Sequence, residues 1–143
     1  LLHGYEIKAE ADTLSRLATQ VPAFNACFDR MTLVVDAQHF GKAAELVPEW
    51  WGLLVIEREH NALRFSERRI CAANPDLDAR SFLFSLWRPE LQRILDDESV
   101  GYGATDNKRN LRERVLRHVP FEKVHARALD LLRSRTRWRG SVI

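Results

Sequence analysis

The chain has 143 residues, 45% of them apolar and 29% charged, with a formal net charge of +2. That is an ordinary soluble composition, long enough to bury a core as one domain. No apolar run approaches the ~20 residues needed to span a bilayer. Two cysteines, Cys27 and Cys71, are too few for a disulfide framework, so a reduced, cytoplasmic setting without a membrane partner is expected.

In chain order, residues 1–9 read as a strand. Alternation places Tyr5 and Ile7 on one face and Glu6 and Lys8 on the other. Asp12-Thr13 is a helix-start signal, and Leu14, Leu17, Val21, Phe24 and Phe28 follow at helical spacing. A helix is therefore expected over 12–28, kinked or split at Pro22, with the Glu6–Lys8 pair between it and the strand. The continuous, β-branched run 31–35 fits a buried central strand. Phe40, Ala43, Ala44 and Val47 predict a short crossover helix over 37–47, which Pro48 stops. Residues 51–57 read as a strand, 58–62 as a polar turn and 63–68 as its hairpin partner. Strand, helix, strand, helix, strand is an α/β order, in which a parallel pair needs a right-handed crossover. Trp50 and Trp51 read as a core anchor and a rim residue, with base stacking as the alternative.

The texture changes after residue 70. Ala73-Asn74-Pro75-Asp76 is a turn cluster, and Asp78 can cap a helix through Phe82, Leu83, Leu86 and Trp87. Pro89 is expected to interrupt, with the helix resuming over 90–95. Residues 98–107 read as a loop, followed by helices over 108–118 and 121–137. The predicted organisation is an α/β core over 1–70 and a helical C-terminal extension over 71–143 packed on it.

The strand at the start also carries a chemical signal. In Glu6-x-Lys8 the carboxylate can bind a hard divalent cation, and the lysine can orient or deprotonate an attacking water. The tripeptide equally suits the solvent face of any half-exposed strand. Gly4-Tyr5-Glu6-Ile7-Lys8, the helix with Arg16 and Gln20, Phe28-Asp29-Arg30 before the apolar run 32–35, and Val47-Pro48-Glu49-Trp50-Trp51-Gly52 are more specific. Together they resemble an uncharacterised bacterial and phage-borne family of the PD-(D/E)XK nuclease superfamily.

That resemblance implies a mixed central sheet of restriction-endonuclease-like type and a metal-dependent nuclease, acting on DNA in repair, phage or mobile-element biology. It implies no particular substrate. Glu6 would bind Mg²⁺ or Mn²⁺ with the backbone carbonyl of Ile7, Lys8 would activate water, and Gln20 would position substrate or metal. Gln20 with Phe24 resembles a Gln-x-x-x-Tyr helix motif of part of the superfamily, although Phe24 lacks the hydroxyl, and a surface role for Gln20 is the alternative. The superfamily's other metal-binding aspartate lies upstream of the E-x-K strand. It is absent here, so the chain reads as N-terminally truncated. Asp12 and Glu10 have no spacing that would replace it, and helix capping is the expected role of Asp12.

Charge is unevenly placed along the chain. From residue 108 to 139 there are eleven Lys or Arg against Glu113, Glu122 and Asp130, a net of +8 that leaves −6 on the rest. Such a tail can hold the phosphate backbone, with Arg16, Lys108, Arg109, Arg112 and Arg133 as candidate DNA contacts, or it can simply keep the helices solvated. His3, His39, His60, His118 and His125 show no metal-ligand spacing. There is no phosphate loop, nucleophile elbow or internal repeat. Two readings follow: a Mg²⁺-dependent deoxyribonuclease, or a nuclease-fold module that binds a protein or nucleic acid through its basic C-terminal helices.

Overall fold

The structure, a computed structural model, describes residues 1–60 and 62–136. Its chain forms two compact units, Leu1–Asp78 and a second beginning at Ala79. The fold is mixed α/β, with one four-stranded mixed sheet followed by helices.

The first unit contains all the strands: β1 (His3–Lys8), β2 (Arg30–Asp36), β3 (Gly52–Glu59) and β4 (Ala62–Arg69). They lie side by side in chain order. β1 and β2 are parallel, with Glu6 level with Leu33; β2 and β3 are parallel, with Val34 level with Leu54. β4 returns antiparallel, with Phe65 level with Ile56. The connections explain this pattern: two helical crossovers give parallel neighbours, and a tight hairpin gives the antiparallel one. The strands run to Glu59 and resume at Ala62, so the hairpin is tighter than the expected turn over 58–62, and His60 adopts a left-handed φ of 56° to make it.

Helix α1 (Leu17–Asn25) starts later than the sequence predicts. The side chain of Asp12 accepts the Ala9 N–H at 2.8 Å and its own N–H returns to the Ala9 carbonyl, closing a local turn in place of a cap. Pro22 neither splits nor ends α1; it lies inside one short helix. The second crossover begins as a 3₁₀ turn over Ala37–His39, where Asp36 accepts the Gln38 N–H, and continues as α2 (Phe40–Leu46) until Pro48 halts it.

Both crossover helices cover the same face of the sheet. Leu17 of α1 and Ala43 of α2 are fully buried against Met31, Leu33, Val35, Leu53 and Val55, with Leu14, Val21, Phe24, Phe28 and Phe40 around them. β1 approaches so closely that a Cβ on Gly4 would lie 2.3 Å from the Met31 sulfur and 2.9 Å from the Phe28 ring. Only glycine fits there. Trp51 is fully buried, its indole N–H donating to Asn25 Oδ1 at 2.9 Å, and Trp50 is buried beside it, so neither tryptophan is free to stack on a base. Residues 70–78 stay with this unit. The Ala72 N–H donates to Trp50, and the Asn74 side chain donates to the carbonyls of Asn25 and Phe28.

In the second unit, α3 (Ala79–Phe82) and a 3₁₀ turn precede α4 (Arg88–Asp97), α5 (Lys108–His118) and α6 (Phe121–Arg133). Pro89 does not interrupt; it sits in the first turn of α4, where a missing N–H costs nothing. The carboxylate of Glu90 reaches back to the Trp87 N–H at 2.6 Å and closes that end. Asn107 caps α5 through the Asn110 N–H. Leu91, Ile94, Leu95, Leu111, Val115, Val124 and Ala128 form the interior of this unit. The expected continuation of the last helix to Arg137, and the charges of Arg137 and Arg139, lie outside the described residues.

Candidate functional site

The structure brings Glu6, Lys8 and Gln20 together. β1 alternation turns Glu6 and Lys8 toward α1, and one turn into α1 Gln20 faces them. Lys8 Nζ lies 2.8 Å from Glu6 Oε1 and donates to Gln20 Oε1 at 3.1 Å, while Gln20 Nε2 donates to the same Glu6 oxygen at 3.0 Å. Each member thus has the other two as partners. Lys8 is 6% exposed and Glu6 16%. A buried ion pair survives only when such extra hydrogen bonds satisfy it, so the network first of all fixes β1 to α1.

Glu6 Oε1 is shared by the Lys8 ammonium and Gln20, and a divalent ion at that oxygen would meet the Lys8 charge. The Ile7 backbone carbonyl, the other expected ligand, belongs to β1 level with Val34, and the Ile7 side chain is 63% exposed on the opposite face. Among the described residues, no group of three or more His, Cys, Asp or Glu could hold an ion such as Mg²⁺ or Mn²⁺. Phe24 packs its ring 5.8 Å from Phe28 and 6.1 Å from Trp51, a core role in which a hydroxyl would be unwelcome. Arg16 is exposed at the start of α1, its carbonyl accepting from Thr19 and Gln20.

Several cations of the basic C-terminal segment, and Arg80 before it, are ion-paired within their own unit. Arg80 pairs with Glu113, Arg114 with Asp106, Lys123 with Glu98, Arg127 with Asp97 and Arg133 with Asp130. Arg135 forms a bidentate pair with Glu90, its Nε and Nη2 each 2.5 Å from a carboxylate oxygen, and its guanidinium lies 4.3 Å from the centre of the Trp87 ring. Burial pushes the Glu90 carboxyl up, but the Arg135 hydrogen bond, the Trp87 N–H and the Arg135 and Lys108 charges outweigh it and hold the group below the usual carboxylate range. Of the five predicted DNA contacts, Lys108, Arg109 and Arg112 share α5, whereas Arg16 lies in the other unit and Arg133 is paired on α6.

What sequence reasoning missed is the other face of the sheet. The residues that alternate with the packed ones are Tyr5 and Ile7 on β1, Thr32 and Val34 on β2, Leu54 and Ile56 on β3, and Leu63 and Phe65 on β4. Tyr5, Ile7, Leu63 and Phe65, on the two outer strands, are 57–63% exposed, whereas Thr32 and Val34 of β2 are 8% and 5% exposed. The His3 ring stacks on Tyr5 at 4.5 Å and shares a hydrogen bond with Thr32 Oγ1; burial and then the Arg30 charge push its imidazole below its ordinary range. At one end of this face a cleft of about 400 Å³ is lined by Ile7, Ile56 and Leu63 together with Glu10, Asp36 and Arg58. The alternation of Leu63 and Phe65 with Arg64 and Ser66 was the available signal. Which face the helices leave bare is not a local property of the sequence.

A mixed α/β unit with one packed and one bare sheet face, continuing into ion-paired helices, defines the class. The model of the family described as bacteriophage P4 protein cII matches residues 1–140, and the chain belongs to that family. It is 21% identical over 137 residues to "Protein cII" of Enterobacteria phage P4, an alignment covering 94% of this chain and 50% of the relative. The chain thus spans about half the length of that curated relative. No solved structure matches it.

This membership corrects the resemblance to PD-(D/E)XK nucleases. The expected DNA hydrolysis, whether for repair or in phage and mobile-element biology, falls with it, as do the nuclease, hydrolase and magnesium descriptions and the inactive nuclease-fold alternative. The restriction-endonuclease-like type of sheet rested on the same resemblance. In physical terms, a strand with E-x-K leading into a helix with a glutamine also arises when three side chains need one another as partners. No helix among the described residues is long and apolar enough to cross a membrane.

Proposed function

We propose that this chain is a protein-recognition module that works through the bare face of its sheet. The observation that carries the reading is the set of exposed apolar side chains Tyr5 and Ile7 on β1 and Leu63 and Phe65 on β4, on the face that α1 and α2 leave uncovered, with Leu54 and Ile56 half-buried and Val34 buried between them. Parallel strands are nearly always covered on both faces, usually by helices. A contiguous exposed apolar surface of this kind marks an interaction site. Its charges are balanced, with Lys8 and Arg58 against Glu10 and Asp36 at the cleft, which favours recognition by apolar contact over attraction to a polyanion. The partner that fits is an amphipathic helix of another protein, its apolar stripe laid on Ile7, Leu54, Ile56 and Phe65 and its polar flank meeting Arg58 and Asp36.

The test is a photo-crosslinking residue at Tyr5, with a second at Arg133 as control, in cells producing the protein. A product specific to Tyr5 is expected to fall roughly tenfold or more in the Ile7→Thr/Phe65→Thr variant, the scale of an interface hot spot. The melting transition should be unchanged, because threonine keeps the strand preference. A Tyr5 product indifferent to that variant, or a product containing only copies of this chain, would overturn the reading.

A further inference from the structure

We propose that the outward face of α5, together with Phe84 beside it, is a contact surface for single-stranded nucleic acid, holding the phosphate backbone and stacking a base. The cations of Arg80, Arg114, Lys123, Arg127, Arg133 and Arg135 sit on carboxylates of their own unit. Arg109, Arg112 and Arg117 of α5 form no ion pair among the described residues. At 100° per residue their positions fall within an arc of about 140°, so they share one side of the helix. Glu113, on the same side, is engaged by Arg80, and Arg109 and Arg117 add their charge to that spot. The local balance stays positive after the acid is counted.

A second observation gives the surface a chemistry beyond charge. The Arg112 guanidinium lies 3.9 Å from the centre of the Phe84 ring, and that ring is 59% exposed. A large aromatic held at the surface under a guanidinium offers two flat, adjacent platforms. Bases stack on either type, and the cation–π contact holds Arg112 in place beforehand. Unpaired bases can reach such a platform, whereas bases inside a duplex cannot. That is why the geometry favours a single strand. Charged side chains alone would have suited a duplex or an acidic protein equally well.

The experiment is fluorescence anisotropy of the full chain with labelled oligodeoxythymidine, and with a duplex for comparison, over a series of salt concentrations. Binding to the single strand should weaken linearly in log–log form as salt rises. The Arg109→Ala/Arg117→Ala variant should lower the magnitude of that slope by roughly 1.4, at ~0.7 per lost phosphate contact. Phe84→Ala should weaken binding by roughly tenfold and leave the slope alone. Arg133→Ala removes a cation already paired with Asp130 and should change neither. No binding at low salt, a slope reduced equally by Arg133→Ala, or tighter binding to the duplex than to the single strand would each overturn the assignment.

Discussion

The two units handle their surfaces in opposite ways. In the first, the polar groups of β1 are turned inward and matched with α1, while apolar side chains of the outer strands β1 and β4 face out. In the second, apolar residues fill the interior and the surface is a lattice of ion pairs, such as Lys123–Glu98 and Arg127–Asp97. Exposed pairs of that kind contribute little to stability, typically less than about 1 kcal/mol each. The comparison teaches that exposure of apolar surface and exposure of charge report on different things. An apolar surface left bare by the fold calls for an occupant, whereas a charged surface carries information only where its charges lack partners.

The sharpest break of this comparison lies within the first unit. Trp51→Ala removes a fully buried indole and its hydrogen bond to Asn25, and should cost about 4 kcal/mol in urea unfolding. Ile7→Thr removes an equally apolar residue from the bare face and should cost less than about 0.5 kcal/mol. Comparable losses from the two variants would mean that the face is covered in solution.

The next effect concerns the inward polar network. Lys8→Ala leaves Glu6 and Gln20 without the ammonium between them and should destabilise by about 3 kcal/mol, the scale of a broken buried pair. The double variant Glu6→Leu/Lys8→Met, which replaces the pair with apolar groups, should recover most of that loss. If the double variant is as unstable as the single one, the network does more than satisfy itself.

The smallest effect is a matter of pH. The Glu90 carboxyl lies below its ordinary value of 4.5 in the folded protein. The unfolded chain therefore takes up the proton at higher pH than the folded one. The stabilisation from this group is fully present above that ordinary value and is lost as pH falls toward the folded one. Thermal melts between neutral and acid pH should show a shallower acid limb for Glu90→Gln than for the parent. Asp106 and Glu113 are shifted in the same direction, Asp106 chiefly by the Gly103 N–H and Glu113 chiefly by Arg80, so the acid limb should flatten without vanishing.

Much of the first unit could be read from the sequence because its signals are local. The continuous run in β2, the stop at Pro48 and the polar hairpin after Glu57 each depend on neighbours in the chain. Glu6 and Lys8 are two apart on a strand, and Gln20 lies one turn into the next helix, so a single packing event joins them. The late start of α1 was hidden because Asp12 is a good cap that found a nearer donor in Ala9. The state of the basic segment was hidden for a different reason. Arg127 and Asp97 are 30 positions apart and Arg135 and Glu90 are 45 apart, so a count of charges sees the cations but not their partners. The family itself was misread because four short stretches carried more weight than their chemistry allows.

The hairpin at His60 implies an order of assembly. β3 and β4 are neighbours in the chain and can pair within microseconds, whereas β1 must wait for a crossover to bring Ile7 level with Val34. β1 is thus expected to be secured after the hairpin, and the Glu6–Lys8–Gln20 network closes at that later step. Pulse-labelled hydrogen exchange should find the amides of Val55 and Ser66 protected ahead of those in β1. Until that network closes, nothing polar among the described residues holds β1 to α1.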